Sequence, residues 1–276
     1  MEEMKNQVTE ENQETSEQED YQLSHTDKLV GVFTEPGKTF SQMAKFPAKA
    51  TDWFFPLLIV VIVAFLANVL MMSNPRIKYS IIEKQMKGIE KRMNDMVENG
   101  QLSRAQADEQ IERTRDFMEN QQSTQMVFTA IGIVGGTFII FFIIALFYWL
   151  LAKFVLKGDG GYSQVLSAYG LSSYITAIQI VAMVILAFAA GRFFQGTSLA
   201  AILESDTSTL TGFLLSKADV FSIWFYAVVS VGLAKMFKSE STGKYYIMVF
   251  ALWLLGGLLF FYISQAVPFL RAFTGG

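Results

Sequence analysis

Five long apolar segments separated by polar stretches dominate the pattern of hydrophobic and polar positions along this chain. The most continuous one, residues 126–152, contains no charged residue and exceeds the ~20 residues that an α-helix needs to cross a hydrocarbon core. A helix that is apolar on all sides over such a length is typical of a membrane span. The predicted spans are residues 53–72, 126–152, 165–190, 220–237 and 246–266. The sequence therefore predicts an all-α integral membrane protein with a five-helix transmembrane bundle.

The polar insert between the first two spans, residues 73–125, carries a different pattern. Apolar side chains recur there at alternating steps of three and four, the spacing at which two helices pack along a narrow seam. The seam positions are Ile82, Met86, Ile89, Met93 and Met96, then Ala107, Ile111, Thr114 and Met118. Asn99-Gly100 reads as a turn, and Ser103 with Gln106 forms a capping-box signature. We expect an extramembrane helical hairpin; a rod that binds a partner is the alternative.

Two segments precede the first span. Residues 1–22 are acidic and poor in large apolar side chains, which predicts a disordered tail. Residues 23–52 mix aromatic and aliphatic side chains with lysines, and Pro36 suits the first turn of a short helix. Phe40 and Met43 then share one face of that helix. The pattern predicts an amphipathic segment lying at the membrane interface, with a soluble docking segment for a partner as the alternative.

Composition excludes several kinds of chemistry. The chain has no cysteine, so disulfides, thiolate metal sites and cysteine nucleophiles are excluded. The single histidine, His25, is expected to be solvated rather than to bind a ligand. Asp159 and Asp219 stand at the ends of predicted spans and match no intramembrane hydrolase motif. We therefore predict no enzyme activity, no catalytic, metal-binding or cofactor-binding residues, and no nucleic-acid partner.

Glycines and polar residues within the spans are the candidate functional positions. Gly132 and Gly136 have the GxxxG spacing that lets two helix backbones approach closely. The other predicted packing glycines are Gly256 and Gly257, and the intramembrane polar residues are Asn68, Ser172, Ser173, Thr176 and Gln179. Helix packing explains this set best. A polar permeation path is the alternative, weakened because no ionisable group accompanies Gln179.

The distribution of lysine and arginine near the span ends predicts the orientation. One side would carry Lys28, Lys38, Lys45, Lys49, Lys153, Lys157, Lys235, Lys238 and Lys244. The other side would carry Arg192, Lys217, Arg271 and the charge-balanced hairpin. We therefore expect a cytoplasmic (inner) membrane protein with a cytoplasmic N-terminus. Its partners would be the lipid bilayer and either other proteins or further copies of the chain.

Three stretches resemble the YIP domain family (Ypt-interacting proteins) in its bacterial form. They are FTEPGKTFSQMAKFP, KGDGGYSQVLSAYGLSSYITAI and DVFSIWFYAVVSVGLAKMFKSESTGKYYIMVFALWLL. The resemblance implies a five-span bundle with a cytoplasmic N-terminus and, in eukaryotic members, binding of Rab/Ypt GTPases. The chain lacks the Asp-Leu-x-Gly-Pro signature of those members, so GTPase binding is not carried over. The predicted function is a non-catalytic scaffold or adaptor in membrane organisation or trafficking-like processes, with a small-solute or ion transporter or channel as the alternative.

Overall fold

The computed structural model describes residues 21–120 and 122–266, and no β-strand occurs among them. The helices are α1 His25–Thr34, α2 Pro36–Met43, α3 Thr51–Ser73, α4 Pro75–Glu98, α5 Arg104–Asn120, α6 Gln122–Leu150, α7 Tyr162–Ala190, α8 Leu199–Ile202, α9 Leu210–Lys217, α10 Val220–Met236, α11 Thr242–Ala251 and α12 Gly257–Ala266. Two π-helical segments, Leu151–Val155 and Leu252–Gly256, continue α6 and join α11 to α12. The predicted disordered tail lies mostly outside the described residues.

Four helical stretches of the described chain are long and apolar enough to cross a membrane. They are Thr51–Ser73, Met126–Val155, Tyr162–Ala190 and Thr242–Gln265. The pair α9 and α10 reaches the same criterion when counted as one span, although the two helices are bent by 62°. The prediction of an all-α multi-pass membrane protein is confirmed, with four or five candidate spans.

The centre of the bundle is the parallel pair α3 and α7. A Cβ atom added to Gly170 would lie 2.4 Å from the Cα atom of Trp53, so only glycine permits this approach. Near the other end of both helices, Met71 and Ala187 belong to one buried cluster. The start of α3 therefore lies beside the first third of α7 and the ends of the two helices meet, so both run in the same direction.

Helix α10 runs antiparallel to α7. A Cβ atom on Gly232, near the end of α10, would lie 3.1 Å from Cβ of Ala168, near the start of α7. Asp219, just before α10, hydrogen-bonds instead to Gln179, further along α7. The start of α10 consequently lies beside Gln179, past the middle of α7.

The N-terminal helices α1 and α2 pack on the bundle where α3 begins. Val32 and Phe40 are fully buried, and Phe40 lies against Gly232. The predicted short helix at Pro36 is confirmed as α2, whereas α1 was not predicted. A buried ion pair joins Lys28 of α1 to Asp52 of α3, with 2.6 Å between Nζ and Oδ1. The amphipathic segment thus contributes buried side chains to the bundle's core, and its location at the membrane interface stays a prediction.

The insert between α3 and α6 forms the helices α4 and α5. Gly100 lies between them with φ of 69°, a left-handed conformation that favours glycine. The predicted capping box is present: the Ser103 N–H donates to Oε1 of Gln106 at 3.0 Å, and the Gln106 N–H donates to Oγ of Ser103 at 3.3 Å. Glu90 of α4 pairs with Arg115 of α5 at 2.9 Å.

Candidate functional site

The most unusual polar feature is the interruption between α9 and α10, where Ala218 and Asp219 leave the helical path. The Asp219 carboxylate caps α10, because its Oδ1 accepts hydrogen bonds from the Phe221 N–H at 2.9 Å and from the Ser222 N–H at 3.4 Å. Asp219 is only 5% exposed. A buried carboxylate therefore stands at the break of a candidate span.

The second oxygen of Asp219 anchors a network of side chains from three segments. Oδ2 accepts from Nε2 of Gln179 at 2.8 Å and from Oγ1 of Thr197 at 2.9 Å. Nε2 of Gln179 also donates to Oγ1 of Thr197 at 3.0 Å. We call these three side chains the break network. It links α7, the connection before α8, and the start of α10.

The break network lies near mid-depth in the bundle. Gln179 follows Gly170 by nine residues, which is about 14 Å along α7 at a rise of about 1.5 Å per residue. Gly170 lies at the level of Trp53, near the beginning of α3, and α3 has 23 residues and is therefore about 34 Å long. In a bilayer crossed by α3, the network would sit near the middle of the hydrocarbon layer, where ionisable groups are costly.

Lys217 brings a positive charge to the same break. Its Nζ lies 4.9 Å from the ring centroid of Phe213 and 5.6 Å from that of Trp253, within the distance of a cation–π contact. A Cβ atom on Gly257 would lie 2.9 Å from this Nζ, so Gly257 leaves space for the ammonium group. The lysine is thus compensated by aromatic rings and the aspartate by neutral donors.

The neighbouring candidate span is irregular at the same level. Its π-helical segment Leu252–Gly256 includes Trp253 and directly precedes Gly257, the two residues that contact Lys217. A π-helical turn inserts one extra residue into an α-helix, and such turns are frequent at functional sites. An interrupted helix and a π-helical turn therefore face each other across Lys217.

The predicted polar residues do not all meet. Only Gln179 joins the break network. The hydroxyls of Ser172 and Ser173 donate to carbonyls of their own helix, those of Ala168 and Tyr169, at 2.8 and 3.1 Å. Thr176 on α7 and Asn68 on α3 are half-buried and lie outside the network.

One inference about this region was wrong. The sequence indicated no ionisable group beside Gln179, whereas the Asp219 carboxylate is hydrogen-bonded to it. The two residues are separated by 40 positions in the chain, so no local spacing relates them. The available signal was an aspartate in the cap position of an apolar run, closely preceded by Lys217.

The predicted packing glycines have different surroundings. Cβ atoms added to Gly132 and Gly136 would meet no atom of the described residues within 4 Å, so this face of α6 is open within the described part of the chain. Gly256 faces Leu252 of its own helical segment, whose Cδ1 would lie 3.4 Å away. The packing role of Gly132 and Gly136 stays a prediction. The close approach at Gly170 was not predicted as a specific glycine contact, although α7 is visibly rich in small residues.

A second polar group lies where α3 begins, beside the Lys28–Asp52 pair. The His25 ring hydrogen-bonds the Tyr174 hydroxyl, with 2.6 Å between Nε2 and the oxygen, and packs edge-on against Phe55. His25 is therefore only partly solvated, because its ring packs against the bundle; that it binds no ligand stays a prediction. Burial lowers the pKa of His25 below its ordinary value, and the nearby Asp52 charge only partly opposes this effect.

Fold and site together define a multi-pass α-helical membrane protein whose bundle contains an apolar helix pair with buried polar and charged side chains at its break. A family model described as the Yip1 domain matches residues 30–263. Because this match covers most of the chain, the protein belongs to the Yip1 domain family. The resemblance found in the sequence is confirmed at the level of the family, and the bacterial form stays a prediction. No curated protein and no solved structure matches the chain.

Proposed function

We propose that the protein is a non-catalytic membrane scaffold or adaptor that associates laterally through α6. The observation that supports this proposal is the open glycine face of that helix. Only 11% of the residues in the most apolar stretch of this span are buried, compared with 22–33% in the other three unbroken spans. Among the described residues, none has an atom within 4 Å of the position where a side chain of Gly132, Gly135 or Gly136 would begin. A second helix backbone can approach closely there.

Lateral self-association makes a sharp prediction for cysteine crosslinking, because the chain has no native cysteine. Gly136→Cys should form a disulfide-linked dimer in native membranes under mild oxidation. Val134→Cys is the matched control, since it is 46% exposed but lies about 200° around the helix from Gly132. Dimer formation only by Gly136→Cys supports the seam. Monomer in both variants, or equal crosslinking in both, would contradict it.

The proposed topology has five spans, with α9 and α10 forming the fourth. The lysine distribution supports a cytoplasmic N-terminus, which would place α4 and α5 outside as an extramembrane hairpin. Asn99→Cys should then react with a membrane-impermeant maleimide on intact cells or spheroplasts. Ser241→Cys, in the connection before α11, should react only after lysis. The reverse pattern would invert the bundle.

A pathway for ions or small polar solutes is the second candidate function. The break network supports it, because an interrupted helix with ionisable residues at mid-depth is typical of transporter binding sites. The purified protein in liposomes should then support a flux that Gln179→Leu abolishes. Absence of flux above that of empty liposomes would leave the scaffold as the better account.

A further inference from the structure

We propose that the break network binds a small monovalent cation. The ligands would be the Asp219 carboxylate, the Thr197 hydroxyl oxygen and the amide oxygen of Gln179. The proposal is independent of lateral association and of transport, because a bound ion that stabilises the bundle requires neither a second copy nor a flux.

The geometry of the three side chains carries the proposal. Oδ2 of Asp219, Oγ1 of Thr197 and Nε2 of Gln179 form a triangle with sides of 2.8, 2.9 and 3.0 Å. Half a turn about the last side-chain bond of Gln179 exchanges its NH2 group and its oxygen. The triangle then consists of three oxygens on one small patch. In this rotated orientation the three oxygen atoms lack a donor unless a cation lies between them. In the observed orientation the Gln179 NH2 group serves as the donor. Rotation of the amide and binding of the ion are therefore coupled.

The charge of the site favours a single positive charge. Asp219 is the only carboxylate of the network, and the ion pairs of the described residues do not include it. No group of three or more His, Cys, Asp or Glu residues in the described part of the chain is arranged to hold a metal ion. One carboxylate neutralises a monovalent cation at mid-depth, whereas a divalent ion would retain a buried net charge.

The two helix ends at the break act in opposite directions: the N–H groups that begin α10 donate to Oδ1 of Asp219 and leave Oδ2 for the ion, whereas the end of α9 favours a cation. Helix α9 ends at Lys217, so its C-terminal carbonyl groups, which carry partial negative charge, point toward the break. Interrupted membrane helices use such carbonyl ends for sodium ions or protons. Lys217 acts in the opposite direction through its charge, but its ammonium group faces Phe213 and Trp253. Removing that charge should therefore strengthen cation binding.

Thermal unfolding in detergent tests the site with sodium itself as the probe. The melting temperature of the full chain is compared in sodium chloride and in choline chloride at equal ionic strength and pH. We expect sodium to raise it by roughly 5 °C when the ion is at about 100 times its dissociation constant. A melting temperature that does not depend on the choice of cation would overturn the proposal.

Variants separate ion binding from a purely structural network. Asp219→Asn and Thr197→Val preserve side-chain size and should lose most of the sodium-dependent shift. Asp206→Asn is the matched control, because it makes the same charge change at an exposed position in the connection between α8 and α9 and should retain the shift.

Lys217→Met should strengthen sodium binding, whereas Asp219→Asn and Thr197→Val should weaken it. Its sodium-dependent shift should reach half of its maximum at a lower sodium concentration than in the unmodified chain. If Asp219→Asn does not fold, Thr197→Val and Lys217→Met still decide the question. Equal sodium shifts in the unmodified chain and in Thr197→Val would assign the effect to another place in the molecule.

Discussion

The bundle compensates two buried aspartates in different ways. Asp52, where α3 begins, is paired with the Lys28 ammonium at 2.6 Å, and both side chains are nearly inaccessible. Asp219, at the break between α9 and α10, accepts hydrogen bonds from an amide, a hydroxyl and two backbone N–H groups. The first carboxylate depends on an opposite charge and the second on neutral donors. The two aspartates are similarly buried, but because their partners differ, we expect them to respond differently to mutation.

The two carboxylates differ in how easily they can exchange their partners. When both partners of an ion pair are buried, removal of one partner leaves the other as an uncompensated buried charge, which is strongly destabilising. Neutral donors can reorient, and a carboxylate held by them can be neutralised without leaving a charge behind. The Lys28–Asp52 pair is therefore suited to holding α1 on the bundle. The break network is suited to exchanging partners.

The largest effect is expected for Asp52→Asn. This change leaves the Lys28 ammonium buried without a counter-charge and should lower the free energy of unfolding by about 3–5 kcal/mol. Chemical or thermal unfolding in detergent would measure it. The double variant Lys28→Met/Asp52→Leu should recover most of the loss, because it removes both charges. A single variant as stable as the parent would show that the pair contributes no net constraint.

Asp219 should respond by graded amounts. Asp219→Ala deprives two side-chain donors and the start of α10 of their acceptor, which should cost roughly 1–3 kcal/mol. Asp219→Asn keeps an acceptor for the helix cap and should cost less than Asp219→Ala when both are measured without sodium. If Asp219→Asn were as damaging as Asp52→Asn under the same conditions, the contrast between the two aspartates would be lost.

The smallest effect concerns His25, beside the Lys28–Asp52 pair. Because burial lowers its pKa in the folded state, protonation favours the unfolded state. The contribution of neutral His25 to the free energy of unfolding should be fully present above the ordinary histidine pKa of 6.5. It should decrease slightly as the pH falls below that value. Replacing His25 by Asn should reduce the difference in melting temperature between pH 7 and pH 5. An unchanged difference would assign the acid sensitivity to other groups.

Local features of the helices were largely predictable. The capping box of Ser103 and Gln106 and the proline start of α2 depend only on residues a few positions apart. The break between α9 and α10 was not predicted, because the fourth span was expected to begin at residue 220. Helix α9 lies just before that residue and becomes a candidate half-span only through its position beside α10.

The amino-acid sequence by itself determined the all-helical membrane class, because a bilayer demands long apolar helices whose backbone groups are satisfied internally. Family membership could also be predicted from the sequence, because the three characteristic stretches follow one another in the family's order. Only the tertiary structure decided which polar groups meet and which glycines face a neighbour. Asp219 reaches Gln179 because α10 returns antiparallel to α7. Gly170 contacts Trp53 while Gly136 faces open space, since glycine spacing permits close approach but does not specify the partner.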